Sequence, residues 1–222
     1  MPSPHEHQNT NVRKVIGVAL SVVILGIAWY GNYLPLAKSQ AFITTLQSLG
    51  SARTLQDFEG DLAKPLDMPS PIGQEELVRQ AASTVLSVVQ QVTDPTIVTD
   101  LNKFIHGYYD PLIARGRGMS FEQDLYIMGG VSELSFQKTQ NPQFLQDASN
   151  YYTEGNKLGP KRPQFLYGLF DVYRTEGNIA SSTAVADQIL SQWPTDTATR
   201  QALAHFLAVM ASSTKPAPKP AK

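Results

Sequence analysis

Twenty-two consecutive residues, Val15 to Leu36, carry no charged side chain. Wound as an α-helix at 1.5 Å per residue they would rise about 33 Å, close to the roughly 30 Å of a bilayer's hydrocarbon core. Such a run constrains the whole chain, because in lipid every backbone polar group has to be satisfied within the segment, which a single span can do only as a helix. Arg13 and Lys14 precede the run, and basic residues resist translocation, so the 1–14 leader is expected on the cytoplasmic side and everything after Leu36 outside. Lys38, just past the far end, makes that asymmetry modest. Trp29, Tyr30 and Tyr33 fall where the outer interface would lie, and amphipathic rings favour the headgroup layer, which argues for a retained span over 15–36. Gly26-Ile27-Ala28 also places small residues as a signal-peptide cleavage site would; removal there would leave the same domain exported and soluble.

The remaining length suffices for one domain with a real core. An apolar content of 42% and an aromatic content of 9% argue against disorder over most of it. The chain has no cysteine, which excludes disulfides, thiolate metal sites and a cysteine nucleophile. Residues 39–214 hold 18 acidic against 12 basic side chains, about −6. A phosphate backbone needs a basic footprint, so no nucleic acid is expected as a partner. The last residues, Lys215-Pro216-Ala217-Pro218-Lys219-Pro220-Ala221-Lys222, have the composition of an extended, solvated tail over 214–222.

Between span and tail the periodicity is helical throughout. Leu77, Ala81, Val85, Val88 and Val92 recur at spacings of four, four, three and four, one buried face of a helix over 74–92. Asp94-Pro95 and Asn141-Pro142 each supply a capping acceptor followed by proline at the first helical position, where a missing N–H costs nothing. Ser120 and Gln123 fit a capping box. Helices are expected near 39–49, 52–64, 74–92, 95–113, 121–140, 142–157, 163–176, 179–192 and 196–213, with proline-rich 65–71 as a connector. The fold class is all-α: one N-terminal transmembrane helix, a helical linker over 39–73, and a helical domain over 74–213.

A repeat runs through the second half. Pro160 and Pro194 are 34 residues apart, and the same offset lays Phe136 on Phe170, Ala148 on Ser182 and Tyr152 on Ala186. That period is the one of the tetratricopeptide repeat, a pair of antiparallel helices. The better unit is 163–196: Leu166, Leu169, Phe170 and Tyr173 face inward from its first helix, Gly177 makes the turn, and Ser182, Ala186, Ile189 and Leu190 line the second. In the unit over 129–162, Ala148, Tyr152, Gly155 and Pro160 fit the second helix, whereas Ser132, Ser135 and Thr139 stand where large inward residues would be expected. Thr197 to Ser213 would cover the last unit, and helices upstream would supply the rest of the packing.

The order of these parts resembles the C-terminal end of bacterial O-antigen ligase and polymerase-like membrane proteins. The resemblance is carried by Asn32 to Lys38 closing a span, Ile72-Gly73-Gln74-Glu75-Glu76 opening a helix, and tetratricopeptide units after it. In that family an extracytoplasmic repeat domain follows the final transmembrane helix. The family's catalytic part is a polytopic membrane domain, which a single span cannot provide, so no catalytic residue carries over. The resemblance implies a scaffold in O-antigen or other envelope-glycan assembly, in the bacterial inner membrane with the repeat domain outside. The alternative is a chaperone-like accessory of the secretion machinery, which can combine the same kinds of parts.

Reactive clusters are few. His106-Gly107-Tyr108-Tyr109-Asp110 is the densest, and it fits a helix end with half-buried tyrosines. His205 fits an apolar helix, His5 and His7 a floppy leader, and Arg115-Gly116-Arg117-Gly118 a solvated turn. No phosphate-binding glycine loop, nucleophile elbow or zinc-protease motif occurs. Catalytic residues, metal and cofactor are therefore expected to be none. The expected functional surface is a groove that holds a protein partner. On the helix from Pro163, Tyr167, Asp171 and Arg174 share an outward stripe at spacings of four and three, and one unit upstream the matching stripe is Glu133, Gln137 and Gln140.

Overall fold

The structure, a computed structural model, describes residues 4–116, 118 and 121–213. It is all-helical, with no strand among the described residues. The chain divides into two compact units, Met1–Val78 and Arg79–Lys222. The expected capping box at Ser120, the loop residue Arg117 and the 214–222 tail lie outside the described residues.

The first unit is built on α1 (Pro4–Ala28), α2 (Leu34–Ser48) and α3 (Leu55–Asp67). The apolar run does not end before the linker helix begins: a π-helical turn, Trp29–Tyr33, joins α1 to α2 without a break. The cause is Pro35, which has no N–H to donate and whose ring would crowd the carbonyl one turn back. The turn widens, and the Leu34 N–H donates five residues back to Trp29 O. Trp29 and Tyr33 stack across it with ring centroids 4.3 Å apart. Every large apolar side chain from Val15 to Ile27 is more than half exposed, and the helix is long and apolar enough to cross a membrane. It already begins at Pro4, inside the segment expected to be a floppy leader.

Beyond it α2 packs on α3 and buries Phe42, Phe58, Leu62 and Leu66, each such side chain contributing about 1.5–3 kcal/mol. Thr54 and Asp57 close a reciprocal capping box at the start of α3. The helix runs two residues past the expected start of the connector, through Pro65. Proline deprives the Asp61 carbonyl of its helical donor, and the Thr45 hydroxyl of α2 approaches that oxygen at 3.5 Å. Lys38, first noted for its charge, is 2% exposed. Its ammonium donates to Leu66 O at 3.1 Å, to Met68 O at 2.6 Å and to Gln74 Oε1. A cation buried this way satisfies the orphan carbonyls at the end of α3.

Helix α4 (Gln74–Gln91) leads into the second unit, which continues with α5 (Pro95–Arg115), α6 (Phe121–Thr139), α7 (Pro142–Leu158), α8 (Pro163–Thr175), α9 (Ile179–Gln192) and α10 (Thr197–Ser213). Asp94 and Asn141 cap as expected, accepting from the N–H groups of Thr96 at 2.8 Å and Gln143 at 3.1 Å. From α5 to α10 each helix packs on the next across a short connection, which turns the chain back on itself, and α6 also touches α8. Gly177 takes a φ of +69° at the α8–α9 turn, a conformation that disfavours a Cβ.

In the second half of the described chain, Leu125, Leu145, Ala148, Tyr152, Phe165, Leu169 and Val172 form one layer of the core, and Leu166, Phe170, Ala186 and Ile189 form the next. Tyr152 sits between two glycines: a Cβ built on Gly129 of α6 or on Gly168 of α8 would come within 3.0 Å of its ring. A Cβ on Gly155 would meet the Phe165 ring equally closely. The serines that replace large residues on α6 are buried rather than turned to water. Ser135 donates to Val131 O at 2.7 Å and accepts from Asn102 of α5 at 3.2 Å, so part of the α5–α6 interface is polar and hydrogen-bonded.

Candidate functional site

The outward stripe of α6 consists of Tyr126, Gly130, Glu133, Gln137 and Gln140, and that of α8 of Tyr167, Asp171 and Arg174. The two stripes converge at Glu133. Its carboxylate accepts from the Tyr152 hydroxyl at 3.1 Å and lies within electrostatic reach of both Asp171 and Arg174. Burial pushes the Glu133 carboxyl above the usual range; the Tyr152 bond and Arg174 oppose the shift, while Asp171 adds to it. Asp171 is likewise raised by desolvation, against the pull of Arg174. The Arg174 guanidinium stands 3.6 Å from Asp171 and 5.1 Å over the Phe170 ring, a loose ion pair combined with a cation–π contact. Two half-buried carboxylates thus share one arginine.

The other members of the stripes fall elsewhere. Gln137 is exposed. Gln140 ends α6 at a φ of 57° and folds its amide back onto the carbonyls of Phe136 and Gln137. Tyr167 donates its hydroxyl to Asp196 at 2.7 Å and lies against Trp193 with centroids 6.4 Å apart. Asp196 also caps α10, accepting from the Thr199 hydroxyl at 2.7 Å and the Thr199 N–H at 3.0 Å. These bonds, those from Thr199 foremost, hold its carboxyl down at about 2.

Two groups escaped the sequence reading. Tyr126, 38% exposed, lies seven residues before Glu133 and so on the same stripe. It packs edge-on to Phe165 at 6.2 Å and tilts over Tyr152 at 6.3 Å. Opening the repeat at Gly129 had left it outside the unit. The other is a recess of about 400 Å³ between α8 and α10, lined by Arg174, Thr175, Ala202, His205, Phe206 and Val209. A larger recess, about 700 Å³, lies under Pro160 and Lys161 against Gln188, Gln192 and Trp193.

The histidine cluster is a packed helix face. His106 Nδ1 is 2.9 Å from Asp110 and 3.5 Å from the Tyr151 hydroxyl, and Tyr109 is fully buried. Among the described residues no group of three or more His, Asp or Glu is placed to hold a metal ion.

The fold and face define an all-helical chain whose second unit stacks antiparallel helices and presents an amphoteric stripe on alternate ones. Comparison with known proteins finds no significant match to any family model, curated protein or solved structure.

Proposed function

We propose that this chain is a membrane-anchored, tetratricopeptide-like scaffold that holds a protein partner against the α6–α8 face and performs no catalysis. The anchor is α1, with its N-terminus cytoplasmic and the second unit outside the inner membrane of a bacterium. The supporting observation is the convergence of Glu133, Asp171 and Arg174 on one face while Tyr126 and Gln137 stay open beside them. A half-buried pair of carboxylates around one arginine offers charge and hydrogen-bond selectivity to an extended peptide, at a modest desolvation cost. The order of apolar helix and helical pairs favours a role in envelope-glycan assembly, with a polytopic glycosyl-transfer protein as the partner.

The test is photo-crosslinking from a reactive residue at Gln137 in intact membranes, with mass spectrometry of the adduct. Capture of a polytopic glycosyl-transfer protein, lost on Asp171→Lys, is the expected result. Capture of translocon subunits or emerging precursors would replace glycan assembly by the secretion accessory. No adduct from a folded, exported chain would refute the binding face itself.

A further inference from the structure

We propose that the recess under Pro160 and Lys161 binds an oligosaccharide with a carboxylate on one of its rings, as in a uronic acid. The proposal stands on the lining of this recess and not on the α6–α8 partner face. Trp193 supplies its aromatic surface. Trp193 and Gly159 are 34 residues apart, and each caps the C-terminus of the second helix of its unit. Their backbones are nearly the same, φ −129° and ψ 78° against φ −132° and ψ 69°. Each donates its N–H four residues back, to Ile189 O and Gly155 O. Glycine thus makes the same turn, and the backbone does not call for an indole. The indole packs on the layer of Leu166, Phe170, Ala186 and Ile189, yet it remains half-buried and lines the recess. Tyr167 lies beside it with ring planes 28° apart, held by the bond from its hydroxyl to Asp196.

A second wall is a tight turn. The Arg162 N–H donates to Gly159 O at 2.9 Å, which puts Pro160 at the second position, where its fixed φ suits a β-turn, and Lys161 at the third. Arg162 is paired with Glu122 at 2.6 Å, so the cation at the rim is the exposed Lys161. Gln188 and Gln192 are one turn apart on α9 and so face the same way. Gln192 Nε2 donates to Pro160 O at 3.2 Å, which fixes that amide at the recess and leaves its oxygen to a ligand.

This lining selects a ligand class. About 700 Å³ falls within the roughly 300–1,000 Å³ of small-ligand sites. The negative face of an indole suits the C–H face of a pyranose ring. Sugar hydroxyls both donate and accept hydrogen bonds, as carboxamides do, so two amides one turn apart match the edge of such a ring. Among the described residues the lining holds no carboxylate, and its ionisable group is Lys161. That charge favours an anionic substituent and disfavours a basic peptide, while a single cation is too few for a nucleic-acid backbone.

The test uses the full chain in a polyoxyethylene detergent, which carries no sugar headgroup. The chain has two tryptophans, so a Trp29→Phe background leaves the emission to Trp193. Trigalacturonate, maltotriose and pentaproline are titrated in turn. Trigalacturonate should give a saturable blue shift and bind about two- to fivefold tighter than maltotriose, the worth of one exposed charge pair. Lys161→Gln should erase that difference, as should raising ionic strength from about 0.1 to 1 M. Gln188→Ala should weaken both sugars about fivefold, the worth of one hydrogen bond. Circular dichroism melts establish that both variants are folded. No saturable shift up to about 10 mM, or affinities indifferent to Gln188→Ala, would overturn the site. Equal binding of the two sugars to the unsubstituted recess would overturn the acidic ligand. A stronger response to pentaproline would give the recess to a peptide instead. Crosslinking from Gln137 reads the α6–α8 face, so either reading can fail without the other.

Discussion

Replacing Gly168 by alanine puts a methyl group where the Tyr152 ring already is. The new Cβ would stand 2.5 Å from Tyr152 Cε2 and 2.6 Å from Cδ2 and Cζ, whereas carbon atoms settle at about 3.5–4.0 Å. The ring would have to move about 1 Å, yet its Cε1 edge already lies 2.3 Å from where a Cβ on Gly129 would stand. Overpacking of this kind costs about 1–3 kcal/mol. Removing a helical glycine returns about 1 kcal/mol. With no slack on either side of the ring, the upper half of the steric range applies, so the net loss is about 1–2 kcal/mol. For a domain of this size that lowers Tm by about 2–8 °C. Gly107→Ala is the internal control: nothing lies within 4 Å of its built Cβ, so the same chemical change on α5 should raise stability by about 1 kcal/mol. Circular dichroism melts of the full chain in detergent, with hydrogen exchange at the α7 and α8 amides, measure both. In a Tyr152→Leu background the Gly168→Ala penalty should largely vanish, a coupling of about 1–3 kcal/mol. If Gly168→Ala stabilises the wild type as Gly107→Ala does, the ring is not wedged and the account of α6–α7–α8 packing is wrong.

The raised carboxyls predict a pH dependence. Glu133 titrates higher folded than its usual value of about 4.3, so its contribution is fully present below that pH and is lost as pH rises through the folded value. Glu133→Gln should remove this slope and raise the denaturation midpoint at pH 7 relative to pH 4; an unchanged slope would contradict the burial of the carboxyl. Asp196 behaves in the opposite sense. Its folded value of about 2 makes a contribution present above about 3.9 and lost as pH falls through 2, so Asp196→Asn should weaken the fold at pH 6 and leave it unchanged near pH 1.5. Lys38→Met strands the carbonyls of Leu66 and Met68, a loss of about 3 kcal/mol. Amides in the last turn of α3 should then exchange about 100-fold faster, read by mass spectrometry; equal exchange would show that the ammonium does not hold the turn.

Most helices were legible because their boundaries are written in side-chain chemistry. Asp94-Pro95, Asn141-Pro142 and the glycine after Glu176 mark ends that the structure reproduces within two residues. The junction at Trp29–Tyr33 was not, because nothing local in Pro35 says whether a helix breaks or widens; that depends on α2 continuing to pack on α3. Lys38 was read by charge alone, since its three acceptors lie 28 to 36 residues away. The buried serines were legible as departures from the repeat, but Ser135 was not legible as the partner of Asn102, which lies on another helix 33 residues upstream of it.

At the candidate site the same limit acts through the repeat. An offset of 34 pairs Glu133 with Tyr167, yet the charges Glu133 feels are Asp171 and Arg174, one and two turns further along α8. The Tyr167 hydroxyl instead goes to Asp196. A reason lies in the unlike contacts of α7 and α9. Where the repeat lays Tyr152 on Ala186, the first interface holds a ring between Gly129 and Gly168, and the second holds only a buried methyl group in the cluster of Leu166, Phe170 and Ile189. Glycines thus face a tyrosine ring in one layer, while the equivalent position in the next is an alanine. Two layers filled by such different volumes cannot keep the same helix spacing, and a strict sequence offset cannot place opposing side chains across them. The stripes are fixed by helical periodicity, whereas the level at which they meet is set by the Tyr152 wedge. For this reason the Gly168→Ala variant should disturb the Glu133–Asp171–Arg174 cluster as well as stability, moving the pH slope that Glu133→Gln removes, although Gly168 itself carries no side chain to offer a partner.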